Sequence, residues 1–160
     1  MKKHALLIVL QLLFCSLVMG QTDNPGCQKN ISHKDSDCSQ SSTCATATAC
    51  PQLRFSMDCT SSYSVIAYTE CSGTGCSHCA SCVRIRTLDG TIVFEITTSG
   101  VNYCQQGDCC ETGIWTPSAT GDYYLEVCLV PCQSVDGEVC CIDYGCAAWG
   151  KISDGALSCP

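Results

Sequence analysis

Positive charge is scarce in this sequence. Eight lysines and arginines stand against 15 aspartates and glutamates, and a surface of that sign repels a phosphate backbone, which argues against nucleic acid as a partner. Of three histidines, His4 lies at the extreme N-terminus. Only His33 and His78 are left as imidazole bases, neither in a recognisable motif, so a Ser-His-Asp type of site has little to draw on. Past the first 20 residues no stretch keeps a helical period for more than about one turn. None there approaches the roughly 20 apolar residues of a membrane span. Aromatic residues make up only 7 %, enough for one modest core.

What is present begins with a leader. Met1-Lys2-Lys3-His4, an apolar run from Ala5 to Phe14 and Val18-Met19-Gly20 before Gln21 have the layout of a secretory signal peptide, with cleavage expected after Gly20. Cys15 offers a rival reading as a lipoprotein anchor, but bulky Phe14 stands where that signal wants a small residue. Cleavage would leave 18 cysteines among 140 residues, about 13 %, above the roughly 8–10 % that marks a disulfide scaffold. An even count in an exported chain predicts disulfides throughout. Six basic side chains would remain against 15 acidic ones. Cations, neutral polymers, a cell surface or another protein are easier partners for such a chain than nucleic acid.

Residues 21–51 read as a polar arm pinned by Cys27, Cys38, Cys44 and Cys50, and 52–160 as a β domain. In the arm, Asn30-Ile31-Ser32 is an N-glycosylation sequon. In the β domain, Leu53–Met57 and Tyr123–Val130 alternate apolar and polar residues as half-buried strands do. Ser62–Thr69 is apolar on both faces, which predicts an interior strand. Gly113–Pro117 reads as a short strand stopped by proline. From Cys82 to Thr98 the pattern predicts a hairpin turning on Asp89-Gly90 as a two-residue loop. That register would place Val83, Ile85, Thr87, Ile92, Phe94 and Ile96 on one face, with Arg84 opposite Glu95 on the other, a pair worth about 0.2–1 kcal/mol. Short strands punctuated by Gly and Pro predict an all-β, disulfide-rich antiparallel β-sandwich or jelly roll.

The run Val83-Arg84-Ile85-Arg86-Thr87-Leu88-Asp89-Gly90-Thr91, followed by Trp115-Thr116-Pro117-Ser118-Ala119-Thr120-Gly121-Asp122-Tyr123-Tyr124-Leu125-Glu126-Val127, resembles the second half of bacterial pre-peptidase C-terminal-type domains. The resemblance covers residues 83–130. It implies a jelly-roll-like sandwich of the kind appended to secreted hydrolases, where it assists binding to polymer or is removed during maturation. No functional residue is carried over from that family.

Three readings of function follow. The first is a secreted, non-catalytic binding or structural module without cofactor, in which Tyr68, Tyr103, Tyr124 and Trp149 form an aromatic binding surface. The second uses Cys71, Cys76, His78, Cys79 and Cys82 as zinc ligands or as a redox pair. In an exported chain, however, those thiols oxidise. The third is a small secreted hydrolase, whose carboxylates would have to meet in the fold. Calcium at the Asp-Gly turns (Asp89, Asp136, Asp154) or near Asp122 lacks the alternating acids of a dedicated loop. A second hairpin, turning on Asp136-Gly137, would set Cys132 opposite Cys141 in a non-hydrogen-bonded pair, close enough for a disulfide. Asp154-Gly155 marks a third turn.

Overall fold

The computed structural model describes residues 27–37, 44–47, 50–70, 79–98, 109–130 and 145–159. The signal-peptide segment, the Asp136-Gly137 hairpin and the Cys132–Cys141 pairing lie outside them. No helix among the described residues is long and apolar enough to cross a membrane.

Eight strands follow in order: β1 (Asn30–Asp35), β2 (Gln52–Met57), β3 (Tyr63–Glu70), β4 (Ala80–Thr87), β5 (Ile92–Thr97), β6 (Cys109–Trp115), β7 (Gly121–Val130) and β8 (Ala147–Ser153). They form two antiparallel sheets, ordered β1-β8-β3-β6 and β2-β7-β4-β5. The chain therefore pairs first strand with last, second with seventh, third with sixth and fourth with fifth. Rolling such a four-pair ribbon onto itself gives the double-sheet jelly roll. β3 is interior, between β8 and β6, as its two apolar faces predict.

The inner faces follow the period-two alternation of the strands. Val65, Ala67 and Ile152 of the first sheet meet Val83, Ile85, Leu125 and Val127 of the second, all fully buried. Each large aliphatic side chain so buried contributes about 1.5–3 kcal/mol. One end of the sandwich is closed by Phe55, Tyr63, Trp115 and Tyr123. The Trp115 and Tyr123 rings there meet edge to face at 5.2 Å. The Tyr123 hydroxyl donates back to Ala119 O at 2.7 Å, which satisfies its buried phenol and pins the turn before β7. The sheets approach closely over Gly150, where a Cβ would lie 2.8 Å from Val127 Cγ2 and 3.0 Å from Val83 Cγ2.

Several segments differ from the sequence reading. Asn30–Asp35, expected within the irregular arm, is an edge strand paired along its whole length with β8. Its only aliphatic residue is Ile31, and its other inward positions are His33 and Asp35, so hydropathy did not mark it. Asp35 is buried, and its carboxylate accepts the backbone N–H of Leu129 in the opposite sheet at 2.9 Å. His33, expected in a solvated loop, has its Nε2 buried without a hydrogen-bond partner among the described residues. β6 begins at Cys109, four residues ahead of the strand expected from Gly113.

The β4–β5 hairpin also turns differently. Gly90 N–H donates to Thr87 O at 3.0 Å, so Leu88 and Asp89 are the central turn residues, and Gly90 follows at φ +88°. This is a three-residue turn with a glycine bulge. The Asp89 carboxylate holds it by accepting from the Thr87 hydroxyl and the Thr91 N–H. Those bonds keep Asp89 well below the usual carboxylate range, led by that from Thr87. Arg86 consequently pairs with Ile92, and a compensating irregularity follows between Ile85 and Arg86. Ile85–Phe94, Arg84–Glu95 and Val83–Ile96 then pair as predicted. The slip takes Ile92 out of the core and leaves it exposed, beside Leu88 and Val93.

Four disulfides join described cysteines: Cys27–Cys59, Cys44–Cys82, Cys50–Cys128 and Cys110–Cys159. Such cross-links require an oxidising compartment to form and persist. Two of them fasten the arm at Cys44 and Cys50 onto the outer face of the second sheet, where Ala47, Cys82, Cys128 and Val130 make a small second core.

Candidate binding face

The two outer faces of the sandwich treat their charges in opposite ways. On the second sheet every cation is neutralised. Arg84 is almost wholly buried beneath the arm. Its guanidinium reaches Glu95 at 2.6 Å and Glu126 at 3.0 Å, and donates to the carbonyls of Cys44 and Ala47. The cross-strand Arg84–Glu95 pair read from the sequence is thus one side of a larger network centred on buried Arg84 and Glu126. Arg86 also reaches Glu126, at 2.9 Å, and Gln52 donates to the same carboxylate. Burial pushes the Glu126 carboxyl up, but the bonds from Arg86, Gln52 and Arg84 outweigh it and hold the group below the ordinary carboxylate range. At the margin, Ser56 and Arg54 bond Asp122 and hold its carboxyl below the ordinary range.

The outer face of the first sheet is built from three strands in register. β1, β8 and β3 align Lys34 with Trp149 and Trp149 with Tyr68, while the next outward row aligns Ser32, Lys151 and Ile66. Tyr68 and Trp149 stack almost parallel, with centroids 5.8 Å apart and planes inclined by 3°. Lys34 Nζ lies 5.1 Å from the Trp149 ring and Lys151 Nζ 5.0 Å from the Tyr68 ring. Both distances are within cation–π range. The Trp149 indole N–H donates to Glu70 at 3.2 Å. The face therefore presents a ladder of two rings and two ammonium groups rather than a flat aromatic platform.

A second feature bounds this face. Cys110 lies opposite Tyr68, and Ser153 lies opposite Ser64. From Ser153 to the outward side of Cys110 the chain must travel four residues along the sheet and two strands across, roughly 16 Å. The Cys110–Cys159 bridge makes residues 154–159 cover that step. Ile66, on the outward side of β3, is only 3 % exposed, and Leu157 of the C-terminal segment is half-buried. The Cys110–Cys159 bridge thus ties the C-terminal segment to β6, next to the strand that carries Tyr68.

The other sequence candidates are scattered. Tyr124 belongs to the outer face of the second sheet, aligned with Arg54 and Arg86. It is therefore not part of a common surface with Tyr68 and Trp149. Tyr103, Cys71, Cys76 and His78 lie outside the described residues. Cys82 is bridged to Cys44, so its sulfur is not a thiolate ligand. Cys79 is buried with its sulfur 3.4 Å from that of Cys146. Cys50, Cys128 and Glu126 bring three ligand-type atoms together, but the two sulfurs are bonded to each other and the carboxylate is engaged by arginines. Asp89 and Asp122 are held by hydroxyls and Arg54. Asp136 lies outside the described residues. Asn30 is exposed at the start of β1 and alternates onto the same outer face as Ser32 and Lys34.

Sequence reasoning found Tyr68 and Trp149 as exposed aromatics but missed Lys34 and Lys151. Their signal was the alternation Ser32-Lys34 and Trp149-Lys151 on strands that were not recognised. No family model matches this chain, and no curated protein matches it with significance.

Proposed function

We propose that the protein is a secreted, non-catalytic module that attaches to an extracellular polymer through the outer face of β1, β8 and β3. One observation carries this reading. Of the six basic residues beyond the leader, Lys29, Arg54, Arg84 and Arg86 have carboxylate partners, whereas among the described residues Lys34 and Lys151 have none and sit over stacked rings. An aromatic ring positions an ammonium group without taking its hydrogen-bond donors. The cross-linked frame suits an extracellular setting, where a fixed face must persist without a large core. The resemblance of residues 83–130 to pre-peptidase C-terminal-type domains points the same way.

Co-sedimentation of the oxidised protein with a panel of insoluble polysaccharides and cell-wall or matrix preparations tests the reading. Binding to at least one of them should be lost in Trp149→Ala and kept in Tyr124→Ala, which alters the opposite face. Binding that survives Trp149→Ala and disappears with Tyr124→Ala would place the site on the wrong sheet, and no binding to any preparation would remove the reading.

A further inference from the structure

We infer that the polymer is an acidic polysaccharide whose uronate carboxylates meet Lys34 and Lys151. This rests on the reading of the β1–β8–β3 face as the binding face and names its ligand class.

The first ground is charge. Within a chain of formal net charge −7, the outward positions of β1, β8 and β3 carry two lysines and a single carboxylate, Glu70, which already accepts the Trp149 indole N–H. At these outward positions the lysines outnumber the carboxylate two to one, the reverse of the balance in the chain as a whole. The second ground is the way the cations are held. Each ring face that meets an ammonium attracts it through its quadrupole, so both lysines are positioned before a ligand arrives while their N–H donors have no carboxylate partner among the described residues. A neutral polymer would make no use of that arrangement. The third ground is what surrounds the lysines. Ser32, Ser64 and Ser153 occupy the neighbouring outward positions, supplying hydroxyl groups that match sugar hydroxyls in both donor and acceptor roles.

Other polyanions fit less well. A nucleic-acid duplex carries one charge per about 1.7 Å, a density that the acidic body opposes. An anionic membrane yields about 1 kcal/mol for each basic residue near it, too little from two lysines. A polyuronate bears its carboxylates on separate rings, with uncharged hydroxyls between them.

The test uses the oxidised protein and polygalacturonate, with its fully methyl-esterified form as the neutral polymer of the same backbone, in affinity electrophoresis and calorimetric titration at low and moderate salt. Binding to the acid form is expected. Esterification and the double change Lys34→Gln with Lys151→Gln should each weaken it by about tenfold or more, and added salt should weaken it too. Circular dichroism and melting of the double variant confirm that the fold is intact. Equal binding to acid and ester, or a double variant that binds like wild type, overturns the inference while leaving a Trp149-dependent polymer module in place. Binding to sulfated but not carboxylated chains overturns the ligand class. Failure with every uronate polymer, alongside Trp149-dependent binding to a neutral one, overturns the inference alone. Failure of the whole panel overturns the parent reading.

Discussion

Replacing Gly150 by alanine adds one methyl group where the opposite sheet packs directly against the backbone. Gly150 lies inward on β8, its backbone needs no left-handed conformation, and the new Cβ would lie 2.8 Å from Val127 Cγ2 and 3.0 and 3.1 Å from the two Val83 methyls. Valine is stiff at χ1, and both valines are fully buried in paired strands, so relief requires the sheets to part. Overpacking of this kind costs about 1–3 kcal/mol. Loss of glycine's freedom in the unfolded chain returns about 0.4–1 kcal/mol. The net expectation is about 1–2 kcal/mol of destabilisation, a fall in Tm of roughly 3–10 °C for a domain of this size. Gly113→Ala is the matched control. Its Cβ would meet Phe94 Cζ at 2.9 Å and Ile96 Cδ1 at 3.3 Å, the far ends of side chains on an edge strand that can yield, so its cost should stay below about 1 kcal/mol. Denaturant melts of both variants with disulfides intact make the comparison. A Gly150→Ala protein as stable as wild type, or a Gly113→Ala protein that loses more, would refute the close approach of the sheets.

Further predictions concern the charges and the cross-links. Arg84→Met should cost about 3 kcal/mol, because it leaves Glu126 buried with one arginine fewer and the carbonyls of Cys44 and Ala47 without their donor; urea unfolding measures it. Glu126, Asp122 and Asp89 all have depressed carboxyl pKa values in the folded protein. Their stabilisation should therefore be complete above about pH 4–5, where the unfolded carboxyls ionise, and be lost as pH falls through the lower folded values. Glu126→Gln should flatten part of that acid slope in melts from pH 6 to pH 2. Removing Cys44–Cys82 by paired alanine substitution opens a loop of 38 residues, for which chain entropy gives about 4 kcal/mol. The arm should become accessible to protease before the rest of the domain, a sequence of events that limited proteolysis would show or exclude.

Much of the second sheet was legible because its strands obey simple rules. β7 alternates Tyr123, Leu125, Val127 and Leu129 inward, and the outer pairs of the β4–β5 hairpin have the expected register. The turn was misplaced by one residue because an Asp-Gly pair also suits a type I turn with a glycine bulge, and the Thr87 and Thr91 partners that decide between them act through side chains. β8 escaped notice because close sheet packing demands Ala148 and Gly150 at inward positions where a hydropathy pattern expects large residues. β1 escaped because its inward side carries His33 and Asp35, the latter there to meet the Leu129 N–H of another sheet. The binding ladder depends on both of those strands. Tyr68 and Trp149 could be picked out as aromatics, but their pairing, and the placing of Lys34 and Lys151 over them, exist only once β1, β8 and β3 are in register. The Arg84–Glu95 pair was legible from the hairpin register, whereas Glu126 and the covering arm arrive from 42 and about 40 residues away.

The location of the binding face can be measured directly by titrating ¹⁵N-labelled, oxidised protein with short oligogalacturonates and following amide, indole and lysine ammonium resonances. Shifts should concentrate at Lys34, Tyr68, Trp149 and Lys151, with the Trp149 indole N–H moving early because its Glu70 contact borders the ligand. Shifts gathered instead around Arg54 and Asp122, or along the exposed Leu88–Val93 hairpin tip, with the Trp149 indole unmoved, would contradict the assignment.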